Sequence, residues 1–171
     1  NIQHDPRVSL ITHNQNDPHI QTQGRITVIG NAALEPDRER YGKKYLRYFP
    51  EAQTYFAMHD FEFSRITPLA LRYIGGFGDI HWVKAENYRM PPYPLIDEED
   101  GFIAEINQYH RVALAAHCAQ PDVSDVSLLG VDCDGFDLRA AGKTWRREFT
   151  ELTLDAAQAR NAILAGVPEA N

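Results

Sequence analysis

Apolar residues recur along this chain with two different periods, and the switches between them mark out its elements. Residues 8–13 alternate as a strand, with Val8, Leu10 and Thr12 on one face and Ser9, Ile11 and His13 on the other. Residues 14–24 carry no regular period and read as a polar loop. Residues 25–34 alternate again, Ile26 and Val28 sharing one face and Arg25, Thr27 and Ile29 the other. The simplest topology pairs these two strands around the loop. Residues 36–58 change to helical spacing, with Tyr41, Tyr45, Tyr48, Phe49, Ala52, Tyr55 and Phe56 in one aromatic stripe. Pro50 interrupts the stripe, which predicts two helices with Pro50 in the first turn of the second.

Residues 72–83 return to strand chemistry around a cluster of glycines. Ile80, His81 and Trp82 alternate, so His81 points away from its two neighbours. Three glycines, Gly75, Gly76 and Gly78, suit a sharp turn, a bulge, or a place where a backbone or a flat ligand comes close. A barrel corner without chemistry would use the same residues.

The second half of the chain follows a different plan. Dense proline and the acidic run Asp97-Glu98-Glu99-Asp100 predict a linker over residues 91–100. That places one domain at residues 1–90 and another at residues 101–171. Residues 101–119 have helical spacing through Phe102, Ile106 and Ala113, with Tyr109 or His110 between them. Three short strands follow at 126–131, 136–140 and 144–149, with Asp134-Gly135 and Ala141-Gly142 as turn chemistry. Thr153 with Asp155 starts a last helix, and Gly166 followed by Pro168 stops it. The expected domain is a two-layer α-β-β-β-α unit, and the fold class α+β.

Composition narrows the function classes. A net charge of −7 and a pI near 5.4 argue against nucleic acid or an anionic membrane as partner. No apolar run is long enough to cross a bilayer, and the chain opens without a signal-peptide pattern. Cys118 and Cys133 form no metal-ligand spacing and no disulfide framework, which suits buried thiols in the cytoplasm.

Chemistry-bearing motifs are few. The sequence has no nucleophile elbow, phosphate loop or dinucleotide fingerprint. Asp132, Asp134 and Asp137 have the look of a calcium loop but lack its terminal glutamate, so a hairpin turn is the better account. The cluster Arg38, Arg40, Lys43, Lys44 and Arg47 either meets a phosphate or propionate or forms a solvated helix face. His13, His19, His81 and His110 remain as candidate ligands. Asp79 stands close enough to orient the second ring nitrogen of His81, and Asn107 lies near His110.

Two segments carry a family resemblance. Asp60-Phe61-Glu62-Phe63-Ser64-Arg65-Ile66, Pro68, Arg72-Tyr73-Ile74-Gly75-Gly76-Phe77-Gly78 and Trp82 resemble the last barrel strands of the haem-utilisation branch of the pyridoxamine-phosphate-oxidase-like, FMN-binding split barrels. That family commonly has a basic or amide residue where this chain has Asp79. Ile106-Asn107-Gln108-Tyr109-His110 and Gly130-Val131-Asp132-Cys133-Asp134-Gly135-Phe136-Asp137-Leu138-Arg139 resemble the small α+β domain often fused to such barrels.

The resemblance implies an antiparallel split β-barrel whose first strands precede Asn1, followed by that α+β domain. It implies a homodimer holding FMN or haem at its interface, with an FMN-dependent oxidoreductase or haem-degrading oxygenase as the enzymatic possibilities. A non-catalytic regulatory or protein-binding member that has lost the cofactor is the alternative. The implied cofactor-binding residues are His81, His110, Arg25, Gly76 and Gly78, with His81 or His110 as the haem-iron ligand. Arg25 occupies a position where flavin-binding relatives have a ring-contacting glutamine.

Overall fold

A computed structural model of the chain describes residues 2–13, 24–76, 78–90, 92–118 and 125–165. His19, Phe77 and the expected helix stop at Gly166 and Pro168 lie outside the described residues. The chain divides into two compact units, Asn1–Lys43 with Glu51–Met90, and Lys44–Pro50 with Pro91–Asn171.

The first unit is built on one antiparallel sheet. Its strands are β1 (Arg7–His13), β2 (Arg25–Leu34), β3 (Ser64–Gly76) and β4 (Asp79–Lys84), hydrogen-bonded in that order. The expected pairing of the first two strands is present, with Leu10 opposite Val28 and His13 opposite Arg25. Among the described residues the sheet stays open, with β1 and β4 as its edges. The glycine cluster turns the chain back on itself, so β3 and β4 form a hairpin with an irregular register between Ile74 and Gly76. Gly76 and Gly78 both have positive φ, at 147° and 84°, a region that other residues rarely adopt.

Helix α1 (Arg38–Tyr48) follows β2, and Pro50 opens a single 3-10 turn that leads into the one-turn helix α2 (Gln53–Phe56). The aromatic stripe is used within the protein. Phe56 lies in an edge contact with Phe61 and packs so closely on Gly42 that a side chain there would collide with it. The Arg38 guanidinium sits 4.5 Å from the Phe56 ring and donates to the carbonyls of Phe56, Met58 and Phe61. Arg65 donates to the Tyr41 hydroxyl and pairs with Glu35.

The second unit carries a hydrophobic core. Helix α3 (Leu95–Tyr109), helix α4 (Arg111–Ala116) and helix α5 (Ala156–Ala165) accompany a sheet ordered β5 (Ser127–Val131), β6 (Gly135–Ala140) and β7 (Lys143–Glu148). Leu95, Ile106, Leu114, Phe136, Leu138 and Ile163 are all buried there. The alternation expected of β6 is explicit, with Phe136, Leu138 and Ala140 buried and Asp137 and Arg139 half-buried on the other face.

Two expectations need correction. The helix placed at residues 101–119 begins at Leu95, so residues 95–100 of the expected linker are helical. Pro94 is tolerated at a helix start, and Asp97 and Glu98 sit in the first turn, where the helix dipole favours acids. The helix is also two helices. His110, with φ −127° and ψ 27°, leaves the helical region and separates α3 from α4, so the order is α-α-β-β-β-α.

Candidate functional site

The register of the first sheet sorts its side chains onto two faces. One face carries Thr12, Ile26, Tyr73 and His81 in a row, with Leu10, Val28, Leu71 and Val83 beside them. The other carries His13, Arg25, Ile74 and Ile80 in one row and Ile11, Thr27, Arg72 and Trp82 in the next.

On the first face, His81 Nε2 lies 2.6 Å from Asp79 Oδ1, and its ring stacks at 6.4 Å on Tyr73. The glycines make this possible. A Cβ at Gly75 would strike the Asp79 carboxylate, so a side chain there would push aside the group that orients His81. Both residues are open to solvent, at 64% and 54% side-chain exposure. An imidazole with one nitrogen held by a carboxylate has the other nitrogen to offer a metal.

The second face combines flat apolar surface with positive charge. Ile11, Ile80 and Trp82 are 56%, 48% and 63% exposed. The Arg72 guanidinium sits 6.0 Å from the Trp82 ring, and Arg25 and Lys84 lie on the same face. From Ser9 to His13, Arg25 to Ile29, Ala70 to Ile74 and Ile80 to Lys84, no paired position on this face holds an acid. That is notable in a chain of net charge −7. An acid-free apolar surface with guanidinium groups can hold a planar anion.

Within the first sheet the implied site residues do not share one face. Arg25 and His81 lie on opposite faces of one sheet, so no single flat ligand touches both from one side. Gly76 and Gly78 are at the hairpin turn, where they shape the backbone. His110 belongs to the second unit, at the break between α3 and α4. Arg72 and Trp82 were visible only as parts of a motif. Their place beside Arg25 follows from the strand register, which alternation within one strand does not give.

In the second unit the motif residues serve structure. Asn107 Nδ2 donates to the Leu128 carbonyl at 3.0 Å, and the Leu128 N–H donates to Asn107 Oδ1 at 2.7 Å. Asp132 accepts from the N–H groups of Asp134 and Gly135 at 2.9 and 3.0 Å and from Arg146 at 2.7 Å, closing the hairpin expected in place of a calcium loop. Asp132, Cys133 and Asp134 do bring three potential ligand atoms close together, but the Arg146 cation already occupies the Asp132 carboxylate. Burial pushes the Asp132 carboxyl upward, yet Arg146 and the two N–H donors hold it below its ordinary value. Gly130 leaves room for the Tyr48 hydroxyl, which donates to Asp137 at 2.6 Å. Burial first, and then Asp137, raises the Tyr48 pKa. Arg139 donates to the Tyr48 carbonyl, and Arg47 to that of Leu129.

The basic cluster on α1 is likewise committed to the protein's own groups. Lys43 pairs with Glu39, Lys44 with Glu99, and Arg47 with Glu99 and Asp100. Arg40, Lys43 and Lys44 are exposed, in keeping with the solvated helix face.

Comparison with known proteins supplies the family. Residues 1–90 match the model of the CREG beta-barrel. The chain belongs to the CREG beta-barrel family. Over 154 residues it is 27% identical to the chloroplastic non-canonical heme oxygenase HOZ of Arabidopsis thaliana, a match covering 83% of this chain and 47% of that protein. The chain thus spans about half the length of this curated relative. A crystal structure of an Agrobacterium tumefaciens protein of unknown function shares the fold. Its TM-score is 0.71 at 20% identity, and the match covers 96% of this chain and 71% of that one. A heme-binding protein from Mycobacterium smegmatis aligns over 97% of this chain and 74% of its own at 22% identity, with a TM-score of only 0.47. The antiparallel sheets of the CREG-family chain agree with a split-barrel fold.

Proposed function

We propose that this CREG-family protein binds a flat anionic cofactor, haem before FMN, as a homodimer of the haem-utilisation branch. The observation that carries the reading is the sheet face of Arg25, Arg72, Ile11, Ile80 and Trp82, whose paired positions among the described residues hold no acid. Haem presents a broad apolar ring with two carboxylates, and that face offers apolar side chains for the ring and guanidinium groups for the carboxylates. The heme oxygenase relative gives haem priority over FMN. Exposed Ile11 and Trp82 also suit a surface that a second subunit would cover. When bound, haem would supply the redox chemistry, and the chain's part would be to orient the ring and exclude water from it. A haem-degrading oxygenase in the cytoplasm is the enzymatic form of this reading.

The regulatory alternative draws support from one feature: the implied ligands His81 and Arg25 face opposite ways. Titration with haem and with FMN separates the two. A Soret band that saturates with added protein supports the haem reading, and retained yellow colour supports FMN. Uptake of neither cofactor leaves the regulatory reading.

A further inference from the structure

We propose that His13 is the imidazole that reaches the iron of a haem held on the cationic sheet face. The inference rests on the flat-cofactor reading and names a residue within that same site.

The first argument is position. Of the six histidines among the described residues, which exclude His19, His81 is on the opposite face and bonded to Asp79. His110 and His117 belong to the second unit, and the His117 ring is used by the Ile163 carbonyl and Phe136. His4 precedes β1, and His59 follows α2, outside the four strands. Among the described residues, His13 is the histidine that shares a face with Arg25, Arg72 and Trp82.

The second argument is spacing. His13 stands directly opposite Arg25, a relation that puts the two Cβ atoms about 4.5–5.5 Å apart. Its row continues to Ile74 and Ile80, three strand spacings away, or about 14 Å. The neighbouring row ends on Trp82 with Arg72 next to it. The imidazole of the edge strand and the guanidinium groups of the central strands thus stand on one face, His13 directly beside Arg25.

The third argument is availability. His13 is exposed, and its ring has no hydrogen bond, ion pair or ring contact among the described residues. Its imidazole is therefore open to iron on the cationic face, whereas the His81 ring, with one nitrogen held by Asp79, presents its other nitrogen on the opposite face.

The test uses the full chain as wild type and as His13→Ala, His81→Ala and His110→Ala. Each is titrated with haem, read by Soret position and spin state, and with metal-free protoporphyrin IX, read by fluorescence anisotropy. The expected result is equal protoporphyrin binding by all four proteins. The haem spectrum should change only in His13→Ala and return when free imidazole is added. A wild-type haem spectrum in His13→Ala, with protoporphyrin still bound, overturns the His13 assignment and leaves the flat-cofactor reading standing. Failure of the wild type to bind either ligand overturns both. Because His13 is an exposed strand-end residue, its loss leaves the fold intact, as circular dichroism of the variant would verify.

Discussion

Replacing Asn107 with alanine should destabilise the second unit far more than its place on a half-exposed helix suggests. Its amide makes a two-way bond with the Leu128 peptide, donating to the carbonyl at 3.0 Å and accepting from the N–H at 2.7 Å. Leu128 is 1% exposed, so water has little access to the two groups left behind. An orphaned buried backbone group costs about 1–3 kcal/mol, and partial relaxation brings the pair to about 2–4 kcal/mol. The chain has two compact units, so a single two-state fit is inappropriate. In a Trp82→Phe background, Trp145 becomes the sole tryptophan and reports on the second unit during urea unfolding. Hydrogen exchange at the Leu128 amide supplies a local reading, and it should accelerate in the variant. Asn107→Asp should fall between the two, because it keeps the acceptor and loses the donor. A loss below about 0.5 kcal/mol, with Leu128 protection unchanged, would refute the idea that this bond anchors α3 to β5.

Other substitutions probe the remaining packing and charge. Gly75→Ala should displace the Asp79 carboxylate and free the His81 ring, seen as a changed tautomer in nitrogen-15 spectra, while the β3–β4 hairpin persists. Gly130→Ala should drive out the Tyr48 hydroxyl and cost about 1–3 kcal/mol, a loss that Tyr48→Phe should share only in part. Asp132 has a folded pKa below its unfolded value near 3.8, so its contribution is present above that pH and drains away as pH falls through the folded value. Asp132→Asn should flatten that part of the acid limb, measured as the urea midpoint against pH, and an unchanged limb would count against the Arg146 pairing.

Much of the fold could be read from local pattern. Most strands came within about two residues of their observed ends, because period-two alternation and Gly-containing turns both marked them, but β3 begins at Ser64, eight residues before the strand chemistry read around the glycines. The start of α3 was hidden for a physical reason. Prolines and acids look like linker chemistry, yet Pro94 and Asp97 also suit a helix N-terminus, and Leu95 was the core contact that decided between them. The break at His110 left no local signal, since Tyr109 to Val112 contains neither glycine nor proline. For the candidate site, alternation separated His81 from Ile80 and Trp82, and the structure agrees. That Arg25 lies beside His13 and across from the His81 face depends on how β1, β2, β3 and β4 are registered. Register is a tertiary property, so the motif named the right segment but mixed residues from two faces.

The central claim is that a planar anion is held on the face of Arg25, Arg72 and Trp82. The most direct measurement is a haem titration followed by tryptophan quenching, in wild type, Trp82→Phe and Arg72→Ala. The account predicts quenching in wild type that exceeds the quenching left in Trp82→Phe, the excess belonging to Trp82, and weaker binding in Arg72→Ala. Haem uptake with Trp82 unquenched and Arg72→Ala unaffected would contradict it.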